Sequence, residues 1–213
     1  TGKTYLVQQQ VRDLISETTV GSRNESQKKD PFFVAGKFDQ LRGRQPYSAL
    51  LSAFTDLCDQ ILVQRDSQSR LAFGKRIQNA VGSQGRVLTD FLPGSLQIIG
   101  DQPEVPSLPG TEARNRFNYV FRMFVRAVSR PENPLILFLD DLQWADEASL
   151  DLLTTIVSDS QNSSLLVVGA YRDKQLNPGH PLAVKLREIE RRAVPVTKIE
   201  LENLSKEVVN LIF

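Results

Sequence analysis

The chain has 213 residues, of which 40% are apolar and 24% charged, a composition typical of a globular protein with one domain of ordinary size. Its 26 lysines and arginines against 25 acidic residues leave a net charge of +1, so no global field attracts nucleic acid or an anionic membrane surface. No apolar run approaches the roughly 20 residues that span a bilayer. A single cysteine, Cys58, cannot form an internal disulfide and is interpreted as part of the core.

The first residues of the chain, Thr1-Gly2-Lys3-Thr4, match the end of the phosphate-loop motif G-x-x-x-x-G-K-[ST]. In that motif backbone N–H groups and the lysine hold phosphates, while the hydroxyl of Ser or Thr binds magnesium. The first glycine of the motif would stand upstream of Thr1, so we expect the chain to be a fragment. Apolar residues at helical spacing over 7–15 predict the helix that follows such a loop.

Strand and helix patterns then alternate along the chain, which predicts an α/β fold with a mostly parallel sheet between two helical layers. One further strand is expected upstream of Thr1, and no linker divides the chain, so residues 1–213 are interpreted as a single domain truncated at both ends. Strands are predicted over 32–38, 135–139, 165–171 and 194–201. Helices are predicted from Pro46, over 69–81, 87–92, 111–129, 148–157 and 181–192, and after a cap at Ser205.

Two adjacent carboxylates, Asp140 and Asp141, end the apolar run over 135–139. Open α/β sheets bind ligands at the carboxyl ends of their strands, and two neighbouring acids repel each other unless a cation relieves them. With Lys3 and Thr4, this pattern predicts a site for ATP and Mg²⁺. Asp140 would hold the metal through its water shell, and Asp141 would polarise the attacking water. The alternative is that both acids merely begin a solvated turn.

Arg172 follows the predicted strand over 165–171, so it would also project from the carboxyl edge of the sheet. A guanidinium there could bind the γ phosphate, because arginine matches phosphate oxygens bidentately. It could equally form a surface ion pair with Asp173 or Asp146. Trp144, just after the two acids, is interpreted as a packing anchor rather than a base-stacking platform.

Three further polar residues are candidates for a chemical role. Arg114 and Arg116 are interpreted as a solvated helix face, with an arginine-finger role toward a neighbouring subunit as the alternative. His180 lies in a turn after Pro178-Gly179 and has no nucleophile or metal ligands at useful spacing.

The chain closely resembles the ATPase module of large predicted ATPases of the AAA-like, signal-transduction (STAND) class. The residues that carry this resemblance are 135–146 (LILFLDDLQWAD), Ser149-Leu150, 169–173 (GAYRD), 33–40 (FVAGKFDQ), 46–50 (PYSAL) and 115–117 (NRF). The resemblance implies a phosphate-loop NTPase fold of the AAA type, found beside kinase, sensor and histidine kinase domains in one long polypeptide. Such modules hold nucleotide as a conformational latch rather than turn it over quickly.

This resemblance also implies roles for single residues. Gly2, Lys3 and Thr4 would bind ATP, with Thr4 and Asp140 on Mg²⁺. Asp141 would act in hydrolysis, and Arg172 would be the sensor arginine. The implied setting is cytoplasmic, with attached kinase or sensor domains and with self-association as an option.

Three competing functions remain open from the sequence. A scaffold could keep the fold and bind partners without hydrolysis. A small-molecule phosphotransferase would need an acceptor pocket or a lid motif, and neither is evident. Nucleic-acid loading is disfavoured by the near-zero net charge and the lack of a basic stripe.

Overall fold

The structure, a computed structural model, describes residues 9–10, 30–40 and 45–201. It is an α/β fold, as predicted. Within these residues the strands are β1 (Phe32–Lys37), β2 (Leu135–Asp140) and β3 (Leu165–Gly169). The helices are α1 (Ser48–Gln64), α2 (Ser67–Val81), α3 (Gly85–Phe91), α4 (Leu96–Ile99), α5 (Gly110–Val128), α6 (Glu147–Val157) and α7 (Pro181–Arg191).

The described strands form one parallel sheet in the order β1-β2-β3. Phe32 pairs with Leu135, and Leu135 pairs with Leu165, so all three strands point the same way and end at the same edge. The central strand β2 is buried on both faces near its end, where Phe138 and Leu139 point in opposite directions. This explains its unbroken apolar sequence, which is typical of a parallel strand between two layers.

Helix α1 packs closely against β1 at a glycine. A Cβ on Gly36 would lie only 2.4 Å from the carbonyl oxygen of Ala49, so the close approach requires the missing side chain. The helix begins at Ser48 rather than at the predicted Pro46, because Tyr47 takes a left-handed conformation with φ of 66°. Tyr47 donates its N–H to the Ser149 hydroxyl at 3.1 Å, which ties the start of α1 to α6.

Aromatic residues of α1 and α5 form the centre of the helical core. Phe54 meets Phe121 edge to face at 4.7 Å, and Phe121 meets Phe124 at 5.8 Å. Edge-to-face pairs of this kind add about 0.5–1.5 kcal/mol each beyond their buried area. Cys58 lies fully buried in the same core, where burial raises the pKa of its thiol to about 12. The prediction that Cys58 is a core residue is confirmed.

The predicted strand over 194–201 is wrong, because these residues have no regular secondary structure. The β-branched residues Val194, Val196 and Ile199 are typical of a strand, but residue type alone supplies no hydrogen-bonding partner. No described strand pairs with this segment, and Ile199 is 81% exposed. The predicted helices over 7–15 and after Ser205 lie outside the described residues, except that Gln9 and Gln10 are helical.

Candidate functional site

The carboxyl ends of the strands bring three predicted site residues to one edge of the sheet. Lys37, the last residue of β1, pairs in register with Asp140, the last residue of β2. Asp141 follows directly, and Arg172 follows β3 three residues after Gly169. The other predicted site residues, Gly2, Lys3 and Thr4, lie outside the described residues.

Asp140 is a buried carboxylate held by the sheet itself. Its carbonyl accepts the N–H of Phe38 at 3.1 Å, and its Oδ1 accepts the N–H of Asp141 at 2.9 Å. The backbone position is therefore fixed by strand pairing. Asp140 is only 7% exposed, so it does not begin a solvated turn.

Asp141 is more open and is surrounded by donors. Its Oδ2 lies 3.3 Å from Lys37 Nζ, and its Oδ1 lies 3.9 Å from Arg172 Nε. The same Oδ1 accepts a hydrogen bond of 2.9 Å from Gln143 Nε2. Burial raises the pKa of Asp141, but the hydrogen bonds from Gln143 and Lys37 and the charges of Lys37 and Arg172 outweigh it. Its pKa lies below the ordinary value of 3.8, so Asp141 is ionised at neutral pH.

The backbone turns sharply at Asp141 to expose its side chain. Asp141 is left-handed, with φ of 54°, a conformation that aspartate tolerates better than most residues. The chain then forms a 3₁₀ turn, Leu142–Trp144, which bonds to the end of β3 through Leu142 N–H and the Ala170 carbonyl at 3.0 Å. A Cβ on Gly169 would lie 2.4 Å from Leu142 Cδ1, so this glycine makes room for the turn.

Arg172 lies beside Asp141, a partner that the sequence analysis did not consider. Its backbone N–H donates to Gln143 Oε1 at 3.2 Å, while its side chain is 62% exposed. Asp146, one of its predicted partners, instead caps α6 by accepting from the N–H of Ser149 at 2.8 Å.

The neighbouring residues singled out from sequence have structural roles. Trp144 is partly buried against the core, which confirms it as a packing residue. His180 caps α7, where its Nδ1 accepts from the N–H of Leu182 at 3.2 Å. Arg114 is exposed, as predicted for a solvated helix face, with Nη1 4.0 Å from Asp151, whereas Arg116 is partly buried and donates to the Pro106 carbonyl.

Lys37 and Gln143 were not identified as site residues from the sequence. Lys37 could have been found, because the ends of parallel strands meet at one edge and it lies near the end of a predicted strand. Gln143 carried no such signal. Its position depends on the left-handed conformation of Asp141 and on the 3₁₀ turn that follows.

The site is thus a pair of carboxylates faced by cations from both neighbouring strands. Mg²⁺ is commonly held by one or two carboxylates, with phosphate and water oxygens completing its shell. Within the described ranges, no group of three or more His, Cys, Asp or Glu could hold a metal ion by itself. Asp140 is one carboxylate of the kind that such an ion uses. Every helix in the described part of the chain is too short or not apolar enough to cross a membrane.

Comparisons with known proteins identify the family of this chain. The hybrid signal transduction histidine kinase G of Dictyostelium discoideum is 39% identical over 126 residues, which is 59% of this chain but 4% of that protein. No solved structure matches the chain significantly. The family described as "AAA ATPase domain" matches residues 1–168, which include both carboxylates and the Gly-Lys-Thr sequence. The chain therefore belongs to the AAA ATPase domain family.

Proposed function

We propose that this chain is an ATP-binding, slowly hydrolysing switch module of a multidomain signalling protein. The observation that carries this proposal is the ionised Asp141 at the carboxyl edge of a parallel sheet, between Lys37 and Arg172. An ionised carboxylate there can polarise a water molecule for attack on a γ phosphate. Membership of the AAA ATPase domain family supports nucleotide binding.

The remaining groups have complementary roles in this proposal. Gly2 and Lys3 bind the phosphates of ATP, and Thr4 supplies its hydroxyl to Mg²⁺. Asp140 holds the same ion through its water shell. Asp140 and Thr4 would hold this ion, which would supply positive charge to the phosphates.

Arg172 and Lys37 give the site a way to sense nucleotide. Both are more than half exposed, with side-chain exposures of 62% and 65%. Ion pairs of this kind are worth about 1 kcal/mol or less, so a γ phosphate can attract either cation away from Asp141 at little cost. Arg172 is the better candidate for the sensor, because its guanidinium can bind two phosphate oxygens at once.

The relative in Dictyostelium discoideum supports a signalling setting. Because the chain spans only 4% of that protein, the attached domains of this chain are a proposal. We expect kinase or sensor domains in the same polypeptide, a single ATPase domain over residues 1–213, self-association as an option and a cytoplasmic location. The alternative is a scaffold of the same fold that binds partners without hydrolysis.

Calorimetry of ATP binding tests the proposal. The protein should be extended upstream of Thr1 so that the whole phosphate loop is present, and titrated with ATP and Mg²⁺. We expect the extended protein to bind, Lys3→Ala to abolish binding and Asp140→Asn to weaken it in a magnesium-dependent way. Absence of binding by the extended protein would overturn the switch proposal and leave the scaffold in its place.

A further inference from the structure

Gln143 is a buried amide that contacts two parts of the candidate site. It lies in the 3₁₀ turn after Asp141 and is only 3% exposed. Its Nε2 donates to Asp141 Oδ1 at 2.9 Å, and its Oε1 accepts the backbone N–H of Arg172 at 3.2 Å. The side chain therefore joins the residue after β2 to the residue that follows β3.

The orientation of this amide is determined by its partners. An ionised carboxylate only accepts hydrogen bonds and a backbone N–H only donates, so the Gln143 nitrogen must face Asp141 and its oxygen must face Arg172. A buried amide that loses a partner leaves a polar group unsatisfied at a cost of about 1–3 kcal/mol. Both bonds are consequently favoured together, and neither can be replaced by water without opening the turn.

The turn that carries Gln143 is itself held against β3. Leu142 donates its N–H to the Ala170 carbonyl, and Trp144 donates its N–H to the Asp141 carbonyl at 2.9 Å. The missing side chain at Gly169 leaves space for Leu142 beside the strand. A shift at the end of β3 would therefore move Gln143 together with Arg172.

We propose that Gln143 is a positioning residue that orients the carboxylate of Asp141 and couples it to the backbone at Arg172. This inference rests on the proposed function for the roles of those two residues. The amide holds Asp141 without adding a positive charge, so the carboxylate keeps its full charge for polarising water. When binding of a γ phosphate to Arg172 shifts its backbone, the shared amide transmits that shift to Asp141, and the coupling acts equally in the reverse direction.

Two substitutions separate the two bonds. Gln143→Met keeps the length of the side chain but removes both bonds, whereas Gln143→Glu keeps an acceptor for Arg172 and loses the donor to Asp141. Gln175→Met is the matched control, because Gln175 is exposed in the nearby turn Asp173–Gln175. All variants should be made in the full-length protein, with thermal unfolding to confirm that each one folds.

Hydrogen exchange of the nucleotide-free protein, followed by mass spectrometry, reports on the coupling without any ATP. In Gln143→Met the amide of Arg172 should exchange about 10-fold faster, since it loses its acceptor. Gln143→Glu and Gln175→Met should leave that exchange unchanged. If Gln143→Met does not fold, Gln143→Glu still tests the orientation of Asp141 through hydrolysis.

Steady-state hydrolysis then tests the positioning role. We expect kcat to fall about 10- to 100-fold in Gln143→Met and in Gln143→Glu with little change in KM, because a misplaced group loses rate rather than affinity. Gln175→Met should match the wild type.

The outcomes distinguish the inference from the proposed function. Unchanged exchange at Arg172 in Gln143→Met would overturn the coupling whether or not the protein hydrolyses ATP. Normal kcat in both Gln143 variants would overturn the positioning role. If the Arg172 amide exchanges faster in Gln143→Met but the wild-type protein binds no ATP, the proposed function would be overturned and Gln143 would be only a structural link.

Discussion

Two aspartates of this chain are both ionised next to arginine, yet their surroundings differ. Asp159 follows α6, is 5% exposed and forms a bidentate pair with Arg126 of α5. Its Oδ1 accepts from Nη2 at 2.6 Å and its Oδ2 accepts from Nε at 2.9 Å. Asp141 is 20% exposed and meets Lys37 and Arg172 at single points, 3.3 and 3.9 Å away.

From this difference we expect Asp141, and not Asp159, to exchange its ion-pair partners. A bidentate pair is geometrically specific, and with Asp159 buried it fixes the end of α6 against α5. The cations around Asp141 are exposed, and their contacts are long, so a phosphate can compete for them. The neutral amide of Gln143 adds a shorter contact to Asp141, at 2.9 Å, and links this carboxylate to the backbone of Arg172.

The same substitution at both acids should give opposite results. Asp141→Asn should reduce ATP hydrolysis about 100- to 10 000-fold, since the side chain can no longer polarise water, and should change the free energy of unfolding by less than about 0.5 kcal/mol. Asp159→Asn should leave hydrolysis near normal but reduce the free energy of unfolding by about 1.5–3 kcal/mol. Single-turnover hydrolysis and urea denaturation measure the two effects.

A reversed pattern would contradict the comparison. If Asp141→Asn lost more stability than Asp159→Asn and kept its hydrolysis rate, Asp141 would be the structural acid. ATP binding by both variants serves as the control, because neither substitution removes Lys3.

Removing the cations rather than the acids should separate the two regions by stability alone. Arg126→Met leaves the buried Asp159 without its partner and should reduce the free energy of unfolding by about 3 kcal/mol. Lys37→Met removes an exposed cation from Asp141 and should change the free energy of unfolding by about 0.5 kcal/mol or less. Urea denaturation of both variants at low salt measures the difference. Equal losses would mean that the Lys37 contact is as structural as the Arg126 clamp.

Much of the fold could be predicted because its strands and helices have clear local patterns. The unbroken apolar run of β2 required cover on both faces, and the structure supplies it. The strand predicted over 194–201 was wrong because a strand needs a pairing partner, which the residue types of the segment do not encode. Helix α1 begins two residues later than predicted because Tyr47 is left-handed. Its N–H binds the Ser149 hydroxyl, which is far away in sequence.

The candidate site could be predicted where strand ends fix it. Asp140, Asp141 and Arg172 all follow strands, so the rule that parallel strands end at one edge placed them together. Gln143 could not be predicted, because its two bonds depend on a turn held by Leu142 and Gly169. The sequence therefore predicted Asp140, Asp141 and Arg172 and missed both the cation of Lys37 and the neutral amide of Gln143.

The smallest effect should appear in the dependence of stability on pH. Burial raises the pKa of Asp159, but the hydrogen bonds from Arg126 and the Gln161 N–H, with the charges of Arg126 and Arg122, hold it below the ordinary 3.8. A depressed carboxyl pKa stabilises the fold at neutral pH, and this contribution is lost as the pH falls from about 4 through the folded value. Asp159→Asn should therefore lose less stability than the wild type between about pH 6 and pH 3.

Asp141→Asn should also reduce the loss of stability at acid pH, but by a smaller amount than Asp159→Asn. The pKa of Asp141 is also lowered, but two of the three groups that lower it are exposed cations whose effect water and salt screen. Asp66 and Glu188, whose pKa values are lowered as well, leave part of the pH dependence in every variant. Urea denaturation between about pH 6 and pH 3 at two salt concentrations measures both contributions. The comparison would be contradicted if the contribution of Asp159 to the free energy of unfolding depended on salt and that of Asp141 did not.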